Sequence, residues 1–185
     1  MLVALLQPQL SQAHYVRVLQ VFLTFYTGLQ PALTAALHRA GYHYALADRI
    51  DWLRRDLADL AAQHPPTGPT HPTPTTLPTD TVWHLATAAS IAGTLYVIEG
   101  STLGGQVIAR RVQAALGVDA ARGARFFNGW GEVTGQKWQD YWQFATSICG
   151  PADEAMTASA AVAAVATFNA IERALDAAWQ QTESE

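Results

Sequence analysis

The sequence predicts an all-α protein, and three observations carry that prediction. Apolar residues recur at three- and four-residue spacing over long stretches, alanine dominates the apolar set in runs such as MTASAAVAAVATFNAIERALDAA, and alternating β-branched segments bounded by turn residues are missing. Half of the 185 residues are apolar, enough to bury a substantial core in one domain spanning 1–185.

Ser11 stands where an N-cap is expected for a first helix running to Ala40, with Tyr15, Val18, Leu19, Phe22, Phe25, Tyr26 and Leu29 at helical spacing. Gly28 and Pro31 mark an expected kink or break in it, and Gly41 its end. A second helix, 46–62, sets Ile50, Leu53, Leu57 and Leu60 on one face and its charges on the other, the pattern of a surface helix. The stretch 64–80, HPPTGPTHPTPTTLPTD, holds six prolines and reads as an extended connector inside the domain. A third helix is expected over 81–116, bent near Gly100 to Gly105, because loss of Cβ there favours a kink. The segment GVDAARGARFFNGWG reads as a loop with an aromatic-rich end. Two more helices follow, TGQKWQDYWQFATSIC over 134–149 and a last one over 151–181, with Pro151 at its opening and acidic residues in its first turn.

Composition excludes several classes of function. Charged residues make up 14% of the chain and the net charge is −4, so the basic surface that phosphate backbones demand is missing and nucleic acid is not an expected partner. The single cysteine, Cys149, cannot form an intramolecular disulfide or a thiolate cluster, and beside Gly150 and Pro151 it reads as a small apolar filler. No apolar run is read as long enough to span a bilayer, and the opening MLVALLQPQLSQAHYVRV lacks a basic n-region and a small-residue cleavage site. The expectation is a soluble cytoplasmic protein.

The third helix contains a contradiction. Each interior glycine costs roughly 1 kcal/mol relative to alanine, yet Gly100, Gly104 and Gly105 fall within six positions. Either another helix crosses very close, or a flat ligand lies against the backbone where a Cβ would collide. The surrounding segment, LYVIEGSTLGGQVIARRV, closely resembles the distal-helix segment of bacterial heme oxygenases, particularly those found alongside bacteriophytochromes. YVRVLQVFLTFYTGLQPAL resembles that family's second helix, LRRDLADL the following one, and GARFFNGWGEVTGQKWQDYWQF the region where members carry FF.GYG..T...W. The resemblance covers nearly all of Leu5 to Trp179, in the family's order.

That resemblance implies an all-α, heme-oxygenase-like bundle in which heme, at once substrate and cofactor, lies between a proximal helix bearing a histidine ligand and a kinked distal helix. The implied activity is oxidative cleavage of heme to biliverdin, carbon monoxide and iron, using O2 and external electrons from a donor such as a ferredoxin or a reductase. Oxygen activated on the reduced iron attacks a meso carbon of the macrocycle, which needs a tight distal space and ordered water rather than a strong general acid. By the same resemblance, Gly104 and Gly105 bring backbone close to the macrocycle. Ser101 and Thr102 could help hold the water, although hydroxyls in helices more often bond their own preceding turn. Phe126, Phe127 and Trp130 resemble an aromatic wall against the heme edge, and as a plain alternative they pack the core. Arg110 and Arg111 are candidate propionate partners, or simply face water. Tyr96 is either a further propionate contact or a buried tyrosine with a local partner. Glu99 is expected to pair with an arginine, since a lone buried carboxylate is costly.

The family's iron ligand belongs to a helix of the form LR..T...H..L, preceding the segment that matches Leu5 to Leu10. The sequence given begins almost at that segment, and the expectation drawn from its well-kept remainder is a start assigned downstream of the true one. A truncated gene and a divergent binder are the alternatives. The histidines at 14, 38, 43, 64, 71 and 84 lie in no such motif, so no metal ligand is identifiable, and His14 is the substitute nearest in sequence. His84 stands about five turns before the glycine pair by helical rise, too far along the same helix to face it. The fold is shared with thiamin-degrading enzymes and di-iron oxidases, but a di-iron centre needs Glu-x-x-His pairs, and none occurs. A cysteine-nucleophile hydrolase would rest on Cys149 with no recognisable base. The alternative to an enzyme is a non-catalytic heme- or tetrapyrrole-binding or interaction module of the same fold.

Overall fold

A computed structural model describes residues 5, 9–63, 83–150 and 154–180. Among them are six α-helices and no strand: α1 (Gln12–Arg39), α2 (Arg49–Gln63), α3 (Ala88–Leu116), the four-residue α4 (Arg125–Asn128), α5 (Thr134–Cys149) and α6 (Glu154–Gln180). The expected connector 64–80 lies outside the described residues.

The local signals explain most boundaries. The Ser11 side chain accepts from the His14 backbone N–H at 3.2 Å, capping α1. The helix is not broken at Gly28 and Pro31. Proline removes one intrahelical hydrogen bond, but Tyr15 to Phe25 before it and Leu33 to Leu37 after it carry buried side chains that hold both halves in register. Thr87 and Ser90 form a reciprocal capping box at the start of α3, seven residues later than the sequence spacing suggests, and left-handed Gly117 closes the helix.

Helix α2 departs from its expected pattern. Its buried residues are Arg49, Leu53, Asp56 and Leu60, a stripe at 4-3-4 spacing, while Ile50 and Leu57 are only partly buried. Two charges therefore face inward, each claimed by a partner on another element. Arg49 reaches Glu99 on α3. Asp56 accepts the backbone N–H groups of Arg125 and Phe126, both at 2.9 Å. Helix α4 interrupts the segment GVDAARGARFFNGWG, which reads as a loop, and the local sequence gives no sign of it, because Ala124 at its N-cap has no side chain that could cap it. The Asp56 carboxylate supplies that cap from a different helix.

Helix α3 is central and packs against α1, α4, α5 and α6. Its closest crossing is with α6 at Gly93, where an added Cβ would collide with the backbone carbonyl of Ala160. Helix α6 buries Thr167, Ala170, Ile171, Ala174, Leu175 and Ala178 but leaves Val162, Val165 and Phe168 exposed. It is the one helix among the described residues that is long and apolar enough by composition to cross a membrane, with mean hydropathy 1.3. This corrects the expectation that no apolar run reaches that length. Ala155 to Ile171 carries no charge, and alanine, serine and threonine make the stretch longer than its large side chains suggest.

Candidate functional site

A cleft of about 620 Å³ opens along α3 between α1, α4, α5 and α6. Its lining is overwhelmingly apolar: Phe22 and Tyr26 from α1, Phe126 and Phe127 from α4, Trp138 from α5, and Phe168 and Ile171 from α6. The floor is α3, whose Val97, Gly100, Ser101, Gly104, Val107 and Ile108 face the space at three- and four-residue intervals.

The three glycines have different neighbours. A Cβ on Gly100 would stand 3.3 Å from the Trp138 indole, and one on Gly105 would stand 2.7 Å from the Phe127 carbonyl oxygen. Those two glycines admit protein: an indole in one case, the backbone of α4 in the other. A Cβ on Gly104 would meet nothing within 4 Å beyond its own stretch of helix. Gly104 lines the cleft and half of the adjacent Leu103 is exposed beside it, so the bare backbone at this position serves the open space itself.

The aromatic wall divides similarly. Phe126 sits 4.9 Å from the Phe22 ring and 5.6 Å from Tyr26, and Phe126 and Phe127 meet at 5.1 Å, so α1 and α4 form one continuous side. Trp130 does not join it. Its ring packs edge-on against Trp52 at 5.5 Å with the Lys137 ammonium over its face, outside the cleft. The turn at Gly129, with positive φ, separates Trp130 from the two phenylalanines and points it the other way.

Ser101 and Thr102 hydroxyls donate to the carbonyls of Ile98 and Glu99, one turn back, at 2.9 and 2.6 Å. The Tyr26 phenol lines the same cleft, and burial pushes its pKa up. Beneath them lies the buried pair Arg49–Glu99, 2.9 Å apart, with the same guanidinium donating to the Ile98 carbonyl at 3.1 Å. Arg49 also lies over the Tyr26 ring and touches the cleft. The second carboxylate oxygen of Glu99 is buried without a hydrogen-bond partner. Glu99 thus has the arginine partner expected of it, whereas Arg49 was hidden in sequence among the charges of a helix that reads as a surface one.

The remaining candidates scatter. Tyr96 lines the cleft but is 44% exposed, so it is not the buried tyrosine of the plain alternative. Arg110 lines a second, more polar hollow of about 470 Å³ with Gln106 and Asp119. It does not face the first cleft. Arg111 does not line the first cleft either; it follows Gly104 by two turns on the same helix face, and its Nε is buried without a hydrogen-bond partner. His14 is not brought to the cleft: its ring packs edge-on against Trp179 of α6 at 5.1 Å, and it precedes the cleft-lining Phe22 by eight residues, about 12 Å of helix. His38, His43 and His84 are exposed, and His64 and His71 lie outside the described residues. Among the described residues no group of three or more histidine, cysteine or carboxylate side chains is placed to hold a metal ion.

Sequence reading missed Gly93, Arg49 and Asp56. Gly93 was legible in principle, as a fourth glycine in the same helix, four residues ahead of Val97. The two charges carried no signal, since burial of an ion pair depends on a partner about 50 to 70 residues away.

No curated protein matches the chain. The model of one family, heme oxygenase, matches residues 1–176. A helical bundle whose glycine-bearing central helix floors an apolar cleft, together with a match over nearly the whole sequence, means that the chain belongs to the heme oxygenase family.

Proposed function

We propose that the chain binds heme in the cleft along α3 and cleaves it with O2 and external electrons to biliverdin, carbon monoxide and iron. The observation that carries this reading is Gly104: bare backbone at the floor of an apolar cleft, with no protein atom to occupy the missing Cβ's place. A planar, largely apolar macrocycle suits such a slot, so the residues present fit the group in shape and polarity. Heme, when bound, supplies the iron and the oxygen chemistry. The chain's own residues do the rest. Phe126, Phe127 and Phe22, packed on one another, would shield one side of a bound macrocycle from water. Gly104 would let the helix backbone approach a bound macrocycle closely. Ser101, whose hydroxyl donates to the Ile98 carbonyl, holds a polar spot on that floor where a proton-donating water can sit. Of the two arginines, neither of which lines the cleft, Arg111 is the one this reading takes as a carboxylate partner, because it lies two turns beyond Gly104 on the same helix face with an unpartnered buried Nε. The reading takes the chain as one cytoplasmic domain served by a ferredoxin or reductase.

A second reading, a tetrapyrrole-binding module without turnover, is favoured by one observation: no described lining residue offers an imidazole. Titration with hemin followed by a reductant system under oxygen separates the two. A Soret complex that turns over to biliverdin supports the enzyme, a stable complex without product supports the module, and no complex sinks both.

A further inference from the structure

Four aromatic side chains form a closed cluster that reaches the cleft through two of its members: Tyr96 from α3 and Trp138 from α5 line the cleft, and Tyr141 and Trp142 from α5 lie behind them. Every pair among them is in ring contact. Trp138 stacks on Tyr141 at 5.1 Å and 20°, meets Trp142 at 5.6 Å and Tyr96 at 5.5 Å. Tyr141 and Trp142 stand 5.3 Å apart, and Tyr96 completes the set at 6.1 and 6.0 Å. The cluster has an inner and an outer end. Trp138 lines the cleft, and Gly100 leaves the room that lets its indole lie against the α3 backbone. Trp142 does not line the cleft and is 48% exposed. Packing alone does not account for it, since a core aromatic buries its ring.

Indole and phenol are the aromatic side chains that surrender an electron most readily, and rings in van der Waals contact exchange electrons with no movement of the chain. We propose that this cluster is a redox relay, carrying oxidising equivalents from an oxidant formed in the cleft to the surface at Trp142. The proposal rests on the reading of the cleft as a heme site, where O2 chemistry that miscarries releases or admits hydrogen peroxide. One hydrogen peroxide takes up two electrons and two protons and becomes two waters. An electron leaves Trp138 toward the cleft, and Trp142 refills Trp138. The Trp142 indole N–H proton passes to solvent, leaving a neutral indolyl radical at the surface. The second electron follows the same way from the exposed phenol of Tyr96, whose proton also passes to solvent. The protons that complete the two waters are drawn from solvent, balancing those released. An external thiol or ascorbate then returns one hydrogen-atom equivalent to each radical. Tyr141 serves only as a π contact. Its hydroxyl donates to the Ala92 carbonyl at 3.1 Å, which is no base, and burial pushes its pKa up, so its proton has nowhere to go.

The test uses the full chain loaded with hemin, its Soret band titrated before any peroxide is added. One equivalent of hydrogen peroxide in the presence of a nitroso spin trap, followed by peptide mass spectrometry, should label Trp142 well above Trp179, which is 40% exposed but outside the cluster. Freeze-quenched samples should show an indolyl signal by electron paramagnetic resonance. Trp142→Phe should titrate with hemin as the parent does, lose the indolyl signal and keep the label at Tyr96. Trp138→Phe should lose most label at Trp142, and Tyr141→Phe should keep it. Equal labelling of Trp142 and Trp179, or a Trp142 label indifferent to Trp138→Phe in a chain that still forms the Soret complex, would overturn the relay while leaving the heme reading intact. Absence of the Soret complex would remove the heme reading and the relay with it.

Discussion

Gly104 and Gly105 are adjacent, yet they answer to different neighbours, and this gives a clean pair of substitutions. Gly104→Leu places its side chain in open cleft, so the expected outcome is loss of hemin binding with helicity and thermal midpoint near those of the parent. Gly105→Ala instead drives a Cβ against the Phe127 carbonyl, and one of the two backbones must shift, at about 1–3 kcal/mol in chemical denaturation. A Gly104→Leu chain with unchanged hemin affinity would show that the cleft is not the site. The buried charges behave differently again. Removing one partner of the Arg49–Glu99 pair, as in Glu99→Leu, leaves an uncompensated guanidinium that is 3% exposed, and the expected loss is about 3–5 kcal/mol. The double variant Arg49→Met, Glu99→Leu should recover much of it. Asp56 offers a pH signature. Burial raises its carboxyl above the ordinary value of 3.8, although the Phe126 and Arg125 N–H groups pull the other way. Between 3.8 and the raised value the folded chain holds a proton that the unfolded chain has released, so this group's contribution to stability falls as pH rises through that window. Urea unfolding of Asp56→Asn should therefore show a deficit against the parent that shrinks with rising pH across the window. A deficit that grows instead would mean that the fold favours the charged carboxylate.

At the scale of elements, α3 has two independent uses for small residues. Near its N-terminal end Gly93 lets α6 approach until the Ala160 carbonyl fills the place of a Cβ. Near its middle Gly100 and Gly105 admit Trp138 and α4. Gly93→Ala must push α6 outward, and because α6 carries the cleft residues Phe168 and Ile171 along its length, it should lower stability by about 1–3 kcal/mol and weaken hemin binding together. Measured affinity that stays level while stability falls would show that α6 does not shape the cleft. The four-residue α4 is too short to persist alone. Its position depends on Asp56 from α2 and on the Tyr15 hydroxyl, which donates to the Gly123 carbonyl at 2.9 Å just before it. The phenylalanine wall is thus set by side chains from two other helices.

For the molecule as a whole, the cleft joins side chains from α1, α3, α4, α5 and α6, with Arg49 of α2 at its edge. None of the described residues that line it bears an imidazole. Hemin added to this chain is expected to show an absorption spectrum that added imidazole changes, because none of these lining residues would compete for the iron with an imidazole of its own. A histidine-ligated spectrum without added imidazole that His14→Ala removes would contradict the packing of His14 against Trp179.

The identity and order of α1, α2, α3, α5 and α6 were legible in the sequence because they rest on local physics, whereas α4 falls in a segment that reads as a loop. Apolar spacing, the Ser11 cap and the turn glycines act within a few residues of themselves, and α5 begins and ends where its spacing says. The glycine anomaly in α3 was also legible, and so was the family it belongs to. What three adjacent-looking glycines each accommodate was not, because a missing Cβ says that something comes close without saying what. Only the tertiary structure assigned Trp138 to Gly100, the α4 backbone to Gly105 and open cleft to Gly104. It alone turned Arg49 and Asp56 of α2 inward, because a charge is buried or exposed according to a partner that the chain brings from about 50 to 70 residues away. Local sequence encodes the elements through short-range backbone energetics, whereas the site is made of coincidences between distant segments that exist only once the elements have packed.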